Sequence, residues 1–119
     1  MPLPRATAAL AGALRRVAGE PITYRRGSQA AEIDVAVRGR SEWETTDPTG
    51  IPLVTHTTDW LLDTAALQLD GQPIEPRAGD RIEAAGEHYE VRHPAGDNPF
   101  RYSDHAATRI RIHSQRRPP

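Results

Sequence analysis

Histidine and carboxylate side chains are the groups in this sequence whose chemistry could support catalysis or metal binding. The histidines are His56, His88, His93, His105 and His113, and the only close pair, His88 and His93, is spaced five residues apart. Metal sites usually combine ligands at matched spacings, such as two histidines one helical turn apart with a nearby carboxylate. The histidine spacing therefore predicts scattered surface side chains and no metal site.

The carboxylates also lack a catalytic arrangement. Glu42 with Glu44 and Glu87 with Glu90 are close in sequence, but a catalytic pair needs one member in an apolar pocket so that the two pKa values separate. These pairs fall beside predicted turns and on solvated strand faces. No nucleophile elbow, dinucleotide fingerprint or phosphate-binding loop is present.

The absence of cysteine and lysine excludes thiolate and Schiff-base chemistry. We therefore predict no catalytic residue, no cofactor and no enzymatic activity. An enzyme that uses the Asp and His residues of positions 93–107 is the one catalytic alternative left open.

Length and composition predict how these side chains are positioned. A chain of 119 residues with 37% hydrophobic and six aromatic residues is expected to form one domain with a thin core. Leu10, Leu14 and Val17 recur at helical spacing, and Gly19 before Pro21 is a normal stop. The pattern predicts a helix from about Pro4 to Ala18, within an N-terminal helical segment of residues 1–19.

The period then changes to two, which is typical of β-strands. We predict a hairpin over residues 22–38 with one solvated face and with Ala31, Ile33, Val35 and Val37 on the inward side, and strands over 53–62, 67–69 and 108–114. In the last strand Ile110 and Ile112 point inward and Arg109, Arg111 and His113 outward. The stretch Pro76 to Val91 predicts a second hairpin, with a Gly79-Asp80 turn before it. The fold class is mainly β: a small antiparallel β-barrel or sandwich over residues 20–114, with the N-terminal helix, long loops and a tail over residues 115–119.

Two segments lack a sustained period, and we predict both to be long loops. The first, Gly39 to Pro52, contains the turn signature Asp47-Pro48-Thr49-Gly50. The second is His93 to Ala107. Loops of this length within a compact domain are usually functional or disordered.

Charge is distributed unevenly although the net charge is −1. Residues 1–40 carry seven arginines against three acidic residues, residues 41–100 three against twelve, and residues 101–119 five against one. Such polarity could steer association between copies or with another partner. The arginines of the last strand also leave open an alternative function, a nucleic-acid-binding β-barrel module. The longest apolar stretch, Ala6 to Leu14, is interrupted by Gly12, so no membrane span or signal peptide is expected.

The order of several motifs resembles a known protein family. Pro76, Gly79, Asp80 and Ile82 are followed by Tyr89-Glu90-Val91, then Ser103-Asp104, then Arg111-Ile112-His113. Weaker similarity lies upstream at Thr23-Tyr24-Arg25 and Asp59-Trp60-Leu61-Leu62. This combination resembles the small head-tail joining proteins of tailed bacteriophages, also called stopper, adaptor or head-completion proteins, which prophages and gene transfer agents also use.

The resemblance implies a structural connector subunit with no catalytic residues. Such subunits form a homo-oligomeric ring, six- or twelve-fold in the family, between a portal or adaptor protein and a tail or tail-terminator protein. Packaged DNA passes through the channel. The expected location is the virion, after assembly in the host cytoplasm. The candidate partner-contact residues lie in the two loops, the last strand and the tail: Trp43, Asp47, Phe100, Tyr102, Asp104, Arg109, Arg111, Arg116 and Arg117.

Overall fold

The computed structural model describes residues 19–118. These residues form nine β-strands: β1 (Gly19–Arg26), β2 (Gln29–Thr46), β3 (Pro52–Asp63), β4 (Gln68–Leu69), β5 (Gln72–Pro73), β6 (Arg81–Ala84), β7 (Glu87–Val91), β8 (Phe100–Tyr102) and β9 (Arg109–Arg117). Two short 3₁₀ turns, Thr64–Ala66 and Pro94–Gly96, connect them. The helix predicted over Pro4 to Ala18 lies outside the described residues. No helix within residues 19–118 is long and apolar enough to span a membrane.

Six strands close into an antiparallel barrel in the order β1, β2, β3, β9, β7 and β6, with β6 pairing back onto β1. The predicted mainly β class is confirmed, and of its two forms the barrel is the one observed. Strand β3 pairs with β9 in the register that places Trp60 opposite Ile112 and Leu62 opposite Ile110. A closed barrel leaves no free sheet edge along its paired segments.

The core fills the barrel with aliphatic side chains and a few aromatic ones. Trp60 and Tyr89 pack edge to face, with ring centroids 5.1 Å apart, and the indole of Trp60 donates a hydrogen bond of 3.0 Å to the Ser114 hydroxyl. Arg38 lies over the Trp60 ring at 4.8 Å and donates to the Tyr89 hydroxyl at 2.9 Å. The arginine thus packs on both aromatic rings of this pair.

A β-bulge changes which face of β2 points inward. Glu20 pairs with Ala36 and Ile22 with Ile33, so two residues of β2 stand opposite Pro21 alone. The bulge shifts the alternation, so Ile33 and Ala36 are buried whereas Val35 is 40% exposed. The predicted inward position of Val35 is therefore wrong.

The C-terminal boundary also differs from the prediction. Strand β9 runs to Arg117, and its last residues pair with β7, with His88 opposite Arg117 and Tyr89 opposite Arg116. Residues 115–117 are thus part of the barrel and do not form a tail. They complete the wall because β7 otherwise pairs only with β6.

Candidate functional site

The predicted loop Gly39 to Pro52 is instead mostly strand. Beyond the barrel, β2 and β3 pair only with each other, from Ser41 opposite Thr57 to Thr46 opposite Pro52, and only residues 47–51 form the turn. We call residues 39–57 the arm. It projects from the barrel and accounts for the elongated shape of the described residues, 63 × 33 × 29 Å.

The turn at the end of the arm is held by Asp47. Its carboxylate accepts hydrogen bonds from the backbone N–H of Thr49 at 2.8 Å and of Ile51 at 2.9 Å, and from the Thr49 hydroxyl at 2.6 Å. These bonds, led by that of the hydroxyl, hold the pKa of Asp47 below its usual value. Asp47, a candidate partner-contact residue, therefore shapes the turn itself.

Apolar side chains are exposed just after this turn. Ile51 is 58%, Leu53 46% and Val54 54% exposed. We call residues 51–54 the arm tip. Four consecutive residues without a charge (Ile-Pro-Leu-Val), solvent-exposed at the end of a projecting hairpin, are typical of a protein interaction site.

A buried carboxylate anchors the base of the arm. Asp59 is completely buried and accepts hydrogen bonds from Arg111 Nε at 2.6 Å and from the Thr57 hydroxyl at 2.7 Å. The Ser41 hydroxyl also donates to it, and His113 Nδ1 lies 2.9 Å from its Oδ1. We call these five residues the Asp59 cluster.

The charge of Asp59 is stabilised by these contacts. Burial alone would raise the pKa of Asp59, but hydrogen bonds from His113, Ser41, Thr57 and Arg111 outweigh burial and hold the pKa well below its usual range. Because an ionised carboxylate can only accept, Nδ1 of His113 must carry the proton. The cluster links the arm to β9 through one buried charge.

Serine, histidine and aspartate in one cluster do not form a catalytic triad here. In a triad the histidine lies between the hydroxyl and the carboxylate, whereas Ser41 and His113 both contact Asp59 directly. His113 is only 2% exposed and lies under Trp43, with ring centroids 4.9 Å apart. The prediction that His113 is a surface histidine is therefore wrong, because the arm covers it.

Trp43, a candidate contact residue, thus has a role within the protomer. Its indole N–H donates to the Thr57 hydroxyl at 3.0 Å, and its ring packs on His113. The segment after β7 also contacts His113 through its backbone. The His113 N–H donates a hydrogen bond to the Pro99 carbonyl at 2.8 Å, and the Arg92 N–H donates one to the His113 carbonyl at 3.1 Å. The Asp59 cluster is therefore enclosed by the arm and this segment together.

Most of the candidate arginines are engaged in ion pairs. Arg111 contacts Asp59, Arg116 lies 3.2 Å from Glu87, and Arg117 lies 3.9 Å from Glu90. Arg109 is exposed and forms no salt bridge within residues 19–118. The structure therefore does not present these four arginines as one free basic row.

The predicted loop His93 to Ala107 also contains regular structure. It includes the 3₁₀ turn Pro94–Gly96 and strand β8, in which Phe100 and Tyr102 stack edge to face at 5.6 Å. Asp104 accepts hydrogen bonds from the backbone and hydroxyl of Thr108, which lower its pKa. Asp104 thus stabilises its own turn, while Tyr102 is 41% exposed.

The Gly79-Asp80 turn has a structural role that sequence reasoning did not assign. Tyr24 donates its hydroxyl to the Asp80 carboxylate, and Arg26 NH2 lies 2.8 Å from the same group. Gly79, with φ of +97°, donates its N–H to the Val91 carbonyl at 2.9 Å, and the Val91 N–H donates to the Asp80 carbonyl at 2.8 Å. The motif residues Tyr24, Gly79, Asp80 and Val91 therefore join β1 to the β6–β7 hairpin.

A family model decides the identity. The model described as "Phage head-tail joining protein" matches residues 2–119, nearly the whole chain. The chain belongs to the phage head-tail joining protein family. A sequence search of curated proteins gives no match.

The predicted resemblance is therefore confirmed, and the protein is a head-tail connector of a phage. Head-tail joining proteins are structural components of the virion at the head-tail interface, where they contact portal and tail proteins. Within residues 19–118, no group of three or more potential ligands is arranged to hold a metal ion. In the part of this head-tail joining protein that the structure describes, the arm projects from the barrel.

Proposed function

We propose that this head-tail joining protein acts as a ring-forming stopper or adaptor subunit, without enzymatic activity, and that its arm makes the contacts that complete the connector. The ring, six- or twelve-fold as in related connectors, lies between the portal or adaptor and the tail or tail terminator. Packaged DNA crosses its channel. Assembly takes place in the host cytoplasm.

The observation that carries this proposal is the exposed arm tip. Ile51, Leu53 and Val54 are each about half exposed or more, and among the described residues Val35 is the other large aliphatic side chain with comparable exposure. An exposed apolar group gains free energy when a partner covers it, at about 25 cal/mol per Å² of buried apolar surface. The tip is therefore suited to a contact in which a neighbouring protein of the connector covers it.

The base of the arm supports the same function. A two-stranded ribbon is marginally stable alone, but the Asp59 cluster and the Trp43 contact with His113 fix its direction relative to the barrel. A preorganised arm loses less conformational entropy on binding than a flexible loop would. A fixed arm can hold its tip at a defined position relative to the neighbouring proteins of the connector.

The experiment is reconstitution with isolated portal complexes, imaged by negative-stain electron microscopy. Wild-type protein is expected to add a layer to the portal, whereas Leu53→Ser with Val54→Ser is expected to lose that layer. Val35→Ser is the matched control, because Val35 is similarly exposed but lies on the barrel wall. Equal addition of wild type and tip variant would refute the role of the arm.

The nucleic-acid-binding alternative has less support. Its motivating feature was the row of arginines on the last strand, and Arg111, Arg116 and Arg117 are already paired with acidic side chains. We expect no oligonucleotide binding by the isolated protomer at low salt. Tight binding that weakens steeply with salt would restore the alternative.

A further inference from the structure

A groove opens at the end of the barrel opposite the arm. It has a volume of about 470 Å³, and its lining includes Pro73, Ile74 and Tyr102 as apolar groups and Arg26 and Arg77 as cationic ones. We call it the end groove. Its size is within the range of roughly 300–1,000 Å³ seen for ligand sites in proteins, so it can hold more than one aliphatic side chain.

The arm tip and the end groove lie at opposite ends of one protomer. Strand β3 begins at Pro52, in the tip, and ends at Asp63, immediately before the groove residue Thr64. At about 3.3 Å per residue, this twelve-residue strand separates the two by roughly 35 Å. A protomer therefore cannot place its own tip in its own groove.

The two surfaces are complementary in character. In the arm, Glu44 is directly opposite Val54 in the strand register, so a carboxylate lies beside the apolar tip. In the groove, Arg77 lies beside Pro73 and Ile74, and Glu75 is the acidic side chain of the lining. Arg26 is held by Asp80, but Arg77 forms no salt bridge within the described part of the chain. The match in charge therefore rests on Arg77, which lies beside the apolar groups of the groove and can pair with Glu44 beside the apolar tip.

We propose that the arm tip of one copy docks in the end groove of a second copy. The inference rests on the proposed ring and names the surfaces that build it. The contact is heterologous, since it joins different surfaces of two identical chains, and such contacts generate a ring when the rotation between neighbours closes. Glu44 of one copy lies near Arg77 of the other.

The chain contains no cysteine, so introduced thiols can test this contact without interference. Thr55→Cys marks the tip, Glu75→Cys marks the groove and Val35→Cys marks a control position on the barrel, so that Leu53, Val54 and Arg77 stay in place. All three positions are exposed, and circular dichroism is expected to show the wild-type fold for each. The single variants are mixed in pairs at high concentration, treated with a short bis-maleimide and analysed by mass spectrometry.

Docking raises the effective concentration of the tip thiol at the groove thiol. Tip-to-groove products are expected to exceed tip-to-tip, groove-to-groove and tip-to-control products by at least about tenfold. Adding Val54→Asp to the tip variant should remove this excess, whereas adding Val35→Asp should leave it. An excess that survives Val54→Asp, or equal yields for all pairs, would overturn the docking contact.

The crosslinking result and the formation of a ring can be distinguished. Portal-bound rings without tip-to-groove products would overturn the docking contact and leave the connector role standing. Tip-to-groove products confined to a two-fold dimer would support the contact and contradict the ring.

Discussion

Nδ1 of His113 lies 2.9 Å from Oδ1 of Asp59, 54 positions away in the sequence, and both side chains are almost completely buried. This pair joins β9 to the base of the arm. The same carboxylate accepts a hydrogen bond of 2.6 Å from Arg111, so one buried charge is satisfied by two neighbours on the last strand. The direction of the arm therefore depends on a polar cluster and not on apolar packing alone.

Asp59→Asn is expected to destabilise the fold strongly. The substitution leaves the buried His113 and the partly buried Arg111 without their carboxylate, and breaking a buried ion pair costs about 3 kcal/mol or more. Urea denaturation at neutral pH followed by circular dichroism measures the free energy of unfolding. The control Asp34→Asn, at an exposed position on β2, should change it by less than about 0.5 kcal/mol. Equal destabilisation by both variants would contradict a central role for the Asp59 cluster.

The contribution of Asp59 should also depend on pH. Its pKa is lower in the folded protein than in the unfolded chain, where it is about 3.9. The stabilisation is therefore fully present above that value and is lost as the pH falls through the folded pKa. The difference in unfolding free energy between wild type and Asp59→Asn should be present at neutral pH and narrow below about pH 4. Asp47 and Asp104 are present in both proteins, so their titration cancels in the difference. A difference that widens on acidification would show that the ionised Asp59 carboxylate does not stabilise the fold.

Tyr24→Phe tests the second buried carboxylate. Tyr24 is completely buried, and burial, together with its hydrogen bond to Asp80, raises the pKa of its phenol. Removing the hydroxyl should lower the free energy of unfolding by about 2 kcal/mol, the usual range for a hydrogen bond to a charged group. Tyr102→Phe is the matched control, because Tyr102 is 41% exposed and should tolerate the change. Thermal unfolding of the two variants side by side provides the comparison.

Substituting the arm tip should not affect the isolated fold. Leu53→Ser with Val54→Ser removes exposed groups only, so the free energy of unfolding should stay within about 0.5 kcal/mol of wild type. Chemical denaturation of the isolated protein measures this. A loss above about 1 kcal/mol would show that the tip packs against its own barrel, contrary to its exposure.

Much of the barrel could be predicted from the sequence because its signals are local. The alternation of Ile110 and Ile112, or of Ile82 with Tyr89 and Val91, follows directly from the period of a strand with one buried face. The bulge opposite Pro21 could not be predicted in the same way, since it depends on the register between two strands. It is the reason why Val35 points outward.

The arm could not be predicted either, because its sequence lacks the local signal of a strand. Its residues, Gly39 to Thr46, are mostly polar or charged, so they lack the apolar alternation that indicates a strand with a buried face. They are strand nonetheless because the two strands of the arm pair with each other over eight register positions, from Gly39 opposite Asp59 to Thr46 opposite Pro52. The burial of Asp59 and His113 could not be predicted from the sequence either. It arises because the arm and the segment around Pro99, which are distant in sequence, both pack near these two side chains.

The connector role of the barrel and its arm can be tested by imaging the head-tail junction of assembled particles by cryo-electron microscopy. We expect a closed ring of these barrels between portal and tail, with each arm tip covered by an adjoining protein. A junction that lacks the protein, or a ring whose Leu53 and Val54 side chains remain exposed to solvent, would contradict this role.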